Sequence, residues 1–320
     1  MNNMKFPQEL YNRDIKNIRL DQYLFSHLKN ISRNQIQKLI INSCIKVDGY
    51  SVKPSYKLKG NENIHIQKIE FHQTSEIMEE NIPIDIIYED EDLVIINKQP
   101  GLIVHPGTGN KSGTLLNGLV YHFKKLSSLD QTRPGIIHRL DKDTSGVIIV
   151  AKNNQTHYLL GEQFANRKIK KTYRAIVWGD IIDKGEIEGY IKRDNNARIS
   201  FILDKIDGRY SHTKFKKINY AAPFSYVELF PSTGRTHQLR VHLKNKGHPI
   251  IGDNLYGGDN LINGYHQKYR PIIKEVFKNI SRFILHAYKI EFIHPVTKKK
   301  VLFQAPIPND FDKIINLLGW

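Results

Sequence analysis

Cysteine is almost absent: Cys44 stands alone in 320 residues. That excludes an internal disulfide framework and any zinc site built on cysteine pairs, and it fits a reducing compartment. No apolar run is long enough to span a bilayer, and residues 1–12 lack the apolar centre of a signal peptide, so a cytoplasmic protein without a membrane partner is expected. Fourteen histidines invite a metal, but they are irregularly spaced and form no His-Glu-x-x-His pair, so no metal is expected. A Gly-x-Ser-x-Gly elbow for a serine nucleophile is missing. So is a Gly-x-x-x-x-Gly-Lys-Ser/Thr loop, which argues against a nucleotide cofactor. Acidic residues are in deficit, 32 against 48 Lys and Arg, for a net charge of +16. Such an excess suits a polyanionic partner, nucleic acid before an anionic membrane surface. Ile, Lys and Asn share A/T-rich codons, so the charge by itself is weak evidence.

The length accommodates one large domain and a small one. Residues 1–15 are polar and expected to form a poorly ordered tail. Ile18, Leu20, Leu24 and Leu28 have helical spacing, with an end near Lys29-Asn30. Ser32 and Gln35 make a capping box for a second helix burying Ile36, Leu39 and Ile40 and carrying Arg33 and Lys38 outward. Ile45–Val47, an Asp48-Gly49 turn and Ile64–Ile66 read as short strands. Residues 16–70 thus form a small module, and 71–84, acidic and closed by Pro83, form a linker. In residues 85–320, strands are expected at 93–96, 173–177, 199–203, 212–218, 226–230, 288–293 and 301–304. Helices are expected around Leu116–Phe123, Thr156–Arg167, Leu239–Leu243 and Ile314. Strands follow one another directly, which argues for α+β with a largely antiparallel mixed sheet flanked by helices and loops.

One stretch organises the chain. In Gly135-Ile-Ile-His138-Arg139-Leu-Asp141-Lys142-Asp143-Thr-Ser145-Gly146, followed by Val147–Val150, two apolar β-branched segments flank a charged loop, so buried strands should pin the loop at both ends. Asp141 lies between Arg139 and Lys142, and a carboxylate among cations stays ionised when partly desolvated, as a nucleophilic carboxylate must.

Beyond this stretch a longer ordered pattern emerges. Asn97-Lys98-x-Pro-Gly with His105-Pro106, His138-Arg139-Leu140-Asp141-x-x-Thr144-Ser145-Gly146, Lys171-x-Tyr173-x-Ala175-x-Val177-x-Gly179, Thr233-Gly234-Arg235-Thr236-His237-Gln238-Leu239-Arg240 and His248-Pro249-Ile250-x-Gly252-Asp253 occur in the order seen in the RluA family of RNA pseudouridine synthases. His105-Pro-Gly-x-Gly109-Asn110 with Gly113-Thr-Leu115 resembles its RluD-like branch, and Gln99 replaces a usual proline. The small module resembles the S-four RNA-binding domain through Arg19-Leu20-Asp21, Ser32-Arg33, Leu39-Ile40 and Val47-Asp48-Gly49, with Ser43-Cys44 where that domain carries glycine.

The resemblance implies a pseudouridine synthase fold over 85–320 and a cofactor-free isomerase acting on large-subunit ribosomal RNA or its assembling particle, expected as a monomer. Isomerisation breaks the N-glycosidic bond, turns the uracil and joins its C5 to the same sugar carbon. The resemblance assigns Asp141 as catalytic carboxylate, paired with Arg240. It assigns Tyr173 as the aromatic that stacks on uracil and assists proton removal from C5. Arg139 would fill the gap left when the base leaves its stack. His138, Lys98, Arg235, His237, Arg33 and Lys38 complete the expected RNA-binding set. A ribosome-assembly factor with a vestigial centre is the alternative, and a glycosidase a third reading. The latter would need a second carboxylate about 5–10 Å from the first, and Asp143 is too near in sequence.

Overall fold

The computed structural model describes residues 9–28, 31, 33–67, 77–107, 109–195, 197, 199–259 and 267–320, with the side chains of 33–35 outside that set. The chain divides into two compact units, Met1–Ile77 with Ser127–Gly135, and Met78–Leu126 with Ile136–Trp320.

The first unit comprises β1 (Glu9–Asn12), α1 (Leu20–His27), α2 (Arg33–Ile41), β2 (Ile45–Val47), β3 (Tyr50–Ser51) and β4 (Glu62–Ile66), its strands ordered β1-β4-β2-β3. Leu20, Leu24, Ile36, Leu39, Ile40, Ile45 and Ile64 share one core. Asp48 and Gly49 both take positive φ, 46° and 81°, which a two-residue hairpin matching strand twist requires. Two expectations need correction. Residues 9–12 belong not to a loose tail but to a strand paired with β4, because Asn12 is tied to Glu62 and to the Ile15 backbone. Ile18 is exposed and precedes α1. The Ser32–Gln35 capping box, the end at Lys29-Asn30, the Arg33 side chain and linker residues 68–76 lie outside the described residues.

The second unit runs β5 (Ile86–Glu89), β6 (Leu93–Lys98), α3 (Leu115–His122), β7 (Ser145–Ala151), α4 (Asn154–Ala165), β8 (Lys170–Trp178), β9 (Lys184–Arg193), β10 (Phe201–Asp204), β11 (Arg209–Ala221), β12 (Phe224–Pro231), α5 (Gln238–Asn245), α6 (Arg270–Lys278), β13 (Leu285–Ile293), β14 (Lys300–Gln304) and α7 (Asn309–Leu317). One sheet follows the order β10-β9-β11-β12-β8-β13-β7-β6-β5, with β14 on β13. Every pairing is antiparallel except β13 with β7. The α+β expectation therefore holds. β5, β9 and α6 were not anticipated: β5 is short and mostly exposed, β9 contains Gly185 and Gly189 and alternates only weakly, and α6 follows the undescribed residues 260–266.

Alternation along β8 explains the layers. Ala175 and Val177 pack with Leu239 and Leu243 of α5, whereas Ile176 and Trp178 pack with Ile273 and Val276 of α6 and Phe311 and Ile314 of α7. Lys171 and Tyr173 continue the series that faces α5. The expected linker differs too: Glu80 accepts from the Gly113 N–H and the Met78 carbonyl from Asn117 in α3, so residues 78–80 are fixed to the second unit.

β7 is buried along its whole length, and its pairing with β13 is close enough to dictate one residue. A Cβ on Gly146 would lie 2.2 Å from the Ala287 carbonyl oxygen, and φ there is +108°. Gly146→Ala should cost about 3 kcal/mol or more, because both the clash and the backbone angle oppose it. Urea unfolding checks this through the shift in midpoint.

Candidate active site

Asp141 lies in the loop entering β7, and four contacts hold that loop. His138 Nε2 accepts from the Ile149 N–H at 2.9 Å. Lys98 donates to the Lys142 carbonyl at 2.9 Å. Arg282 donates to the Asp143 carbonyl at 2.8 Å while its other nitrogens grip Asp310. The Thr144 N–H closes the turn onto the Asp141 carbonyl at 3.1 Å. Upstream, Ile136 makes one bridge to Val150 rather than a strand, so the loop is pinned by a strand on one side only. Side-chain clamps replace the other strand.

The Asp141 carboxylate meets Arg240 Nη1 at 3.5 Å. Arg240 is 7% exposed, and Asp253 takes its guanidinium in a two-point grip, 2.7 and 2.9 Å. Phe283 and Tyr256 cover it, their ring centroids 4.3 and 4.8 Å away. Burial opposes the Arg240 charge, but the Asp253 hydrogen bonds outweigh it, with help from Asp141, and its pKa moves up. The bidentate pair fixes where the guanidinium sits. At 3.5 Å the link to Asp141 is chiefly Coulombic. Among the described residues Asp141's carboxylate oxygens have no other hydrogen-bond donor, which leaves their lone pairs available.

Tyr173 sits half-buried in the cluster beside α5. Burial first, and then the Asp141 charge, push its phenol well above the usual range, so it stays protonated at neutral pH. His237 caps α5 in a left-handed conformation, φ 55°, and shares a 2.8 Å hydrogen bond with the Tyr256 hydroxyl. Burial lowers its pKa, and Asp141 works the other way.

The expected residues divide. Asp141, Arg240, Tyr173 and His237 come together. Arg139 is exposed, with no ion pair among the described residues, and Arg235 is half-buried with its Nε on the Tyr210 carbonyl. Lys38 is exposed on α2 of the first unit. Two RNA-binding expectations are corrected. Lys98 is 1% exposed, and all three of its protons go to carbonyls, of Gln99, Leu102 and Lys142. Burial, with Arg282 adding, pushes its pKa down to about 7, while Asp143 and Asp141 oppose the shift. His138 packs on Phe164 at 4.8 Å, and burial takes its pKa down to about 3, so it is a neutral acceptor and not a phosphate-binding cation. Both residues shape the loop.

Sequence reasoning missed Asp253 and Arg282. Asp253 closes the His248–Asp253 motif, which could have signalled a role. Arg282 had no signal, because its partners, Asp310 and the Asp143 carbonyl, are distant in sequence. The metal-type grouping among the described residues is Asp90, Asp92 and His294. Its groups are already engaged: His294 Nε2 with Asp90, Asp90 with the Asp92 and Leu93 N–H groups, and Asp92 with Asn153.

A sequence profile described as RNA pseudouridylate synthase matches residues 92–245, and one described as S4 domain matches residues 18–64. Asp141, Tyr173, His237 and Arg240 fall within the first match, and relatives above 30% identity extend over nearly the whole chain. The chain belongs to the RNA pseudouridine synthases, isomerases that act on RNA, and it carries an S4 domain. It is 39% identical over 305 residues to an uncharacterized RNA pseudouridine synthase of Chlorobaculum parvum, covering 93% of each chain. It is 40% identical over 302 residues to the ribosomal large subunit pseudouridine synthase D of Buchnera aphidicola from Schizaphis graminum, again covering 93% of each. Among solved structures, human RNA pseudouridylate synthase domain containing 4 superposes with a TM-score of 0.53 at 25% identity, covering 73% of this chain and 93% of that one.

Buried neutral histidines make stability acid-sensitive. Burial takes His138 to about 3, and His242 and His286 each to about 4. Unfolding raises these values toward 6.5, so the unfolded chain binds more protons in this window, and stability is full above about pH 6.5 and falls as pH drops toward 4. Each residue should contribute a loss on the order of 1 kcal/mol per pH unit across that window. Urea midpoints at pH 7, 6 and 5 check the slope.

Proposed function

We propose that the chain converts uridine to pseudouridine in large-subunit ribosomal RNA, with Asp141 as the attacking carboxylate. The observation that carries the chemical reading is Asp141's placement, in a clamped loop 3.5 Å from a buried guanidinium that Asp253 holds from the other side. Arg240 sets a positive charge against the carboxylate, and the long contact leaves its lone pairs free to attack. Tyr173, protonated and on the same face, supplies a flat surface for the uracil and a hydroxyl within the site. The Asp141 carboxylate attacks the sugar carbon as its bond to N1 breaks, the uracil turns in place, C5 displaces the carboxylate from that carbon, and the C5 proton leaves while N1 gains one. Atoms and electrons balance without a cofactor. Arg139, exposed two positions before Asp141, fills the space that the flipped uridine vacates.

Hydrolysis fits less well. Asp253, the other carboxylate on Arg240, has both oxygens on the guanidinium and is not free to activate water. The choice of ribosomal RNA rests on the relatives of 34–40% identity named ribosomal large subunit pseudouridine synthase D.

Incubation of wild type and Asp141→Asn with large-subunit ribosomal RNA, followed by mapping of pseudouridine, tests the reading. Wild type should form pseudouridine, and the variant should form none while binding the RNA with unchanged affinity. Normal product from the variant would remove Asp141 from its role. Release of free uracil by wild type would favour hydrolysis.

A further inference from the structure

Four cations, Lys171, Arg235, Arg209 and Arg167, gather at the edge of the site, and the nearby Glu188 carboxylate is taken up by the Tyr210 hydroxyl. Lys171 lies on β8 two residues before Tyr173, on the same face and about 7 Å along the strand. Its ammonium donates to the Thr233 carbonyl at 3.3 Å. Arg235, in the turn before α5, donates through Nε to the Tyr210 carbonyl at 2.9 Å. Arg167, after α4, holds its guanidinium 5.9 Å from the Tyr210 ring centroid, and Arg209 opens β11 next to Tyr210.

The four positions come from separate elements, yet all collect around Tyr210 and Thr233. Gln238 and Thr233 knit that region: Gln238 Oε1 accepts from the Thr233 hydroxyl and the Arg235 N–H, and its Nε2 donates to the His212 carbonyl. Glu188 takes the Tyr210 hydroxyl. Among the described residues, none of the four cations makes an ion pair.

Like charges held together in a partly desolvated place oppose one another. Burial, then Arg209 and Arg167, lower the Arg235 pKa, and burial followed by Arg235 takes Lys171 down to about 8. Such repulsion is relieved when an anion docks. Lys171 and Arg235 border Tyr173 and His237, so a chain whose base occupies the site carries its phosphates past this cluster.

We propose that Lys171, Arg235, Arg209 and Arg167 form a phosphate-binding track for the RNA strand next to the uridine held at Asp141. The track rests on the functional reading above in placing RNA at Asp141. It supplies positioning and affinity, not bond chemistry.

The test measures RNA affinity over a salt series, using a large-subunit ribosomal RNA fragment and full-length protein. Arg167→Gln with Arg209→Gln changes two exposed side chains, so folding is preserved, and thermal melting verifies that. Each lost phosphate contact removes about 0.7–0.9 from the slope of log affinity against log salt. A fourfold rise in salt should therefore weaken wild type about tenfold more than the double variant. Arg167→Lys with Arg209→Lys should keep the wild-type slope, and so should Lys313→Gln on α7, across the sheet.

A wild-type slope in the double Gln variant overturns the track, and so does weaker binding at an unchanged slope, which reports structural damage. Displacement of RNA by inorganic phosphate beyond the effect of chloride at equal ionic strength would show a site for the free ion and overturn the strand assignment. Because these readouts are binding measurements, a reduced slope with no pseudouridine from wild type would sustain the track as an RNA contact while overturning the isomerase chemistry beside it.

Discussion

Arg240 is buried, and a guanidinium taken from water is stable only when anions surround it. Asp253 meets that need directly and sets the geometry, holding the fork in two places so that one remaining nitrogen faces Asp141. One positive charge thus lies between two negative ones. Asp253 is saturated by short bonds, and Asp141 is stabilised from a distance. This asymmetry separates a structural carboxylate from a reactive one, although the two share a cation.

The other half of the arrangement is the loop. Asp141 belongs to an irregular segment, and such segments hold a position only when their backbone groups are tied down. Lys98 of β6 and Arg282, just before β13, tie loop carbonyls, and His138, within the loop, takes the Ile149 N–H of β7. Lys98 gives its protons to carbonyl oxygens, and Arg282 joins the Asp143 carbonyl to the Asp310 carboxylate behind the loop. At its far end the loop meets β7, where Gly146 lets β13 approach closely. Ser145 and His286 share a buried hydrogen bond there at 2.9 Å. The frame around Asp141 is rigid even though the residue itself is not in a strand.

Periodicity carried much of this fold. The spacing of Leu116 and Leu119, the run Tyr173–Val177 and the Leu239–Leu243 stripe each announced an element that the structure contains, because each has a face in a core. β9 escaped notice, since its glycines and half-exposed alternation leave no such stripe. The strand at 9–12 looked like a tail because its partner lies some fifty residues away. Within the site, the reactive residues were legible through ordered motifs and the supporting ones were not. Lys98 and His138 were read as RNA contacts because a sequence displays charge without displaying burial. Asp253 stood in a motif without a role, since only the fold brings it to Arg240. Arg282 binds a backbone carbonyl, and no side-chain pattern encodes that.

The grip of Asp253 on Arg240 is the claim on which the site stands, and the single-turnover rate of pseudouridine formation by Asp253→Asn tests it most directly. The variant keeps the shape and loses one charge, so RNA affinity should match wild type while the rate falls on the order of a hundredfold, as a misplaced catalytic group requires. A folded Asp253→Asn protein that forms pseudouridine at the wild-type rate would contradict the account.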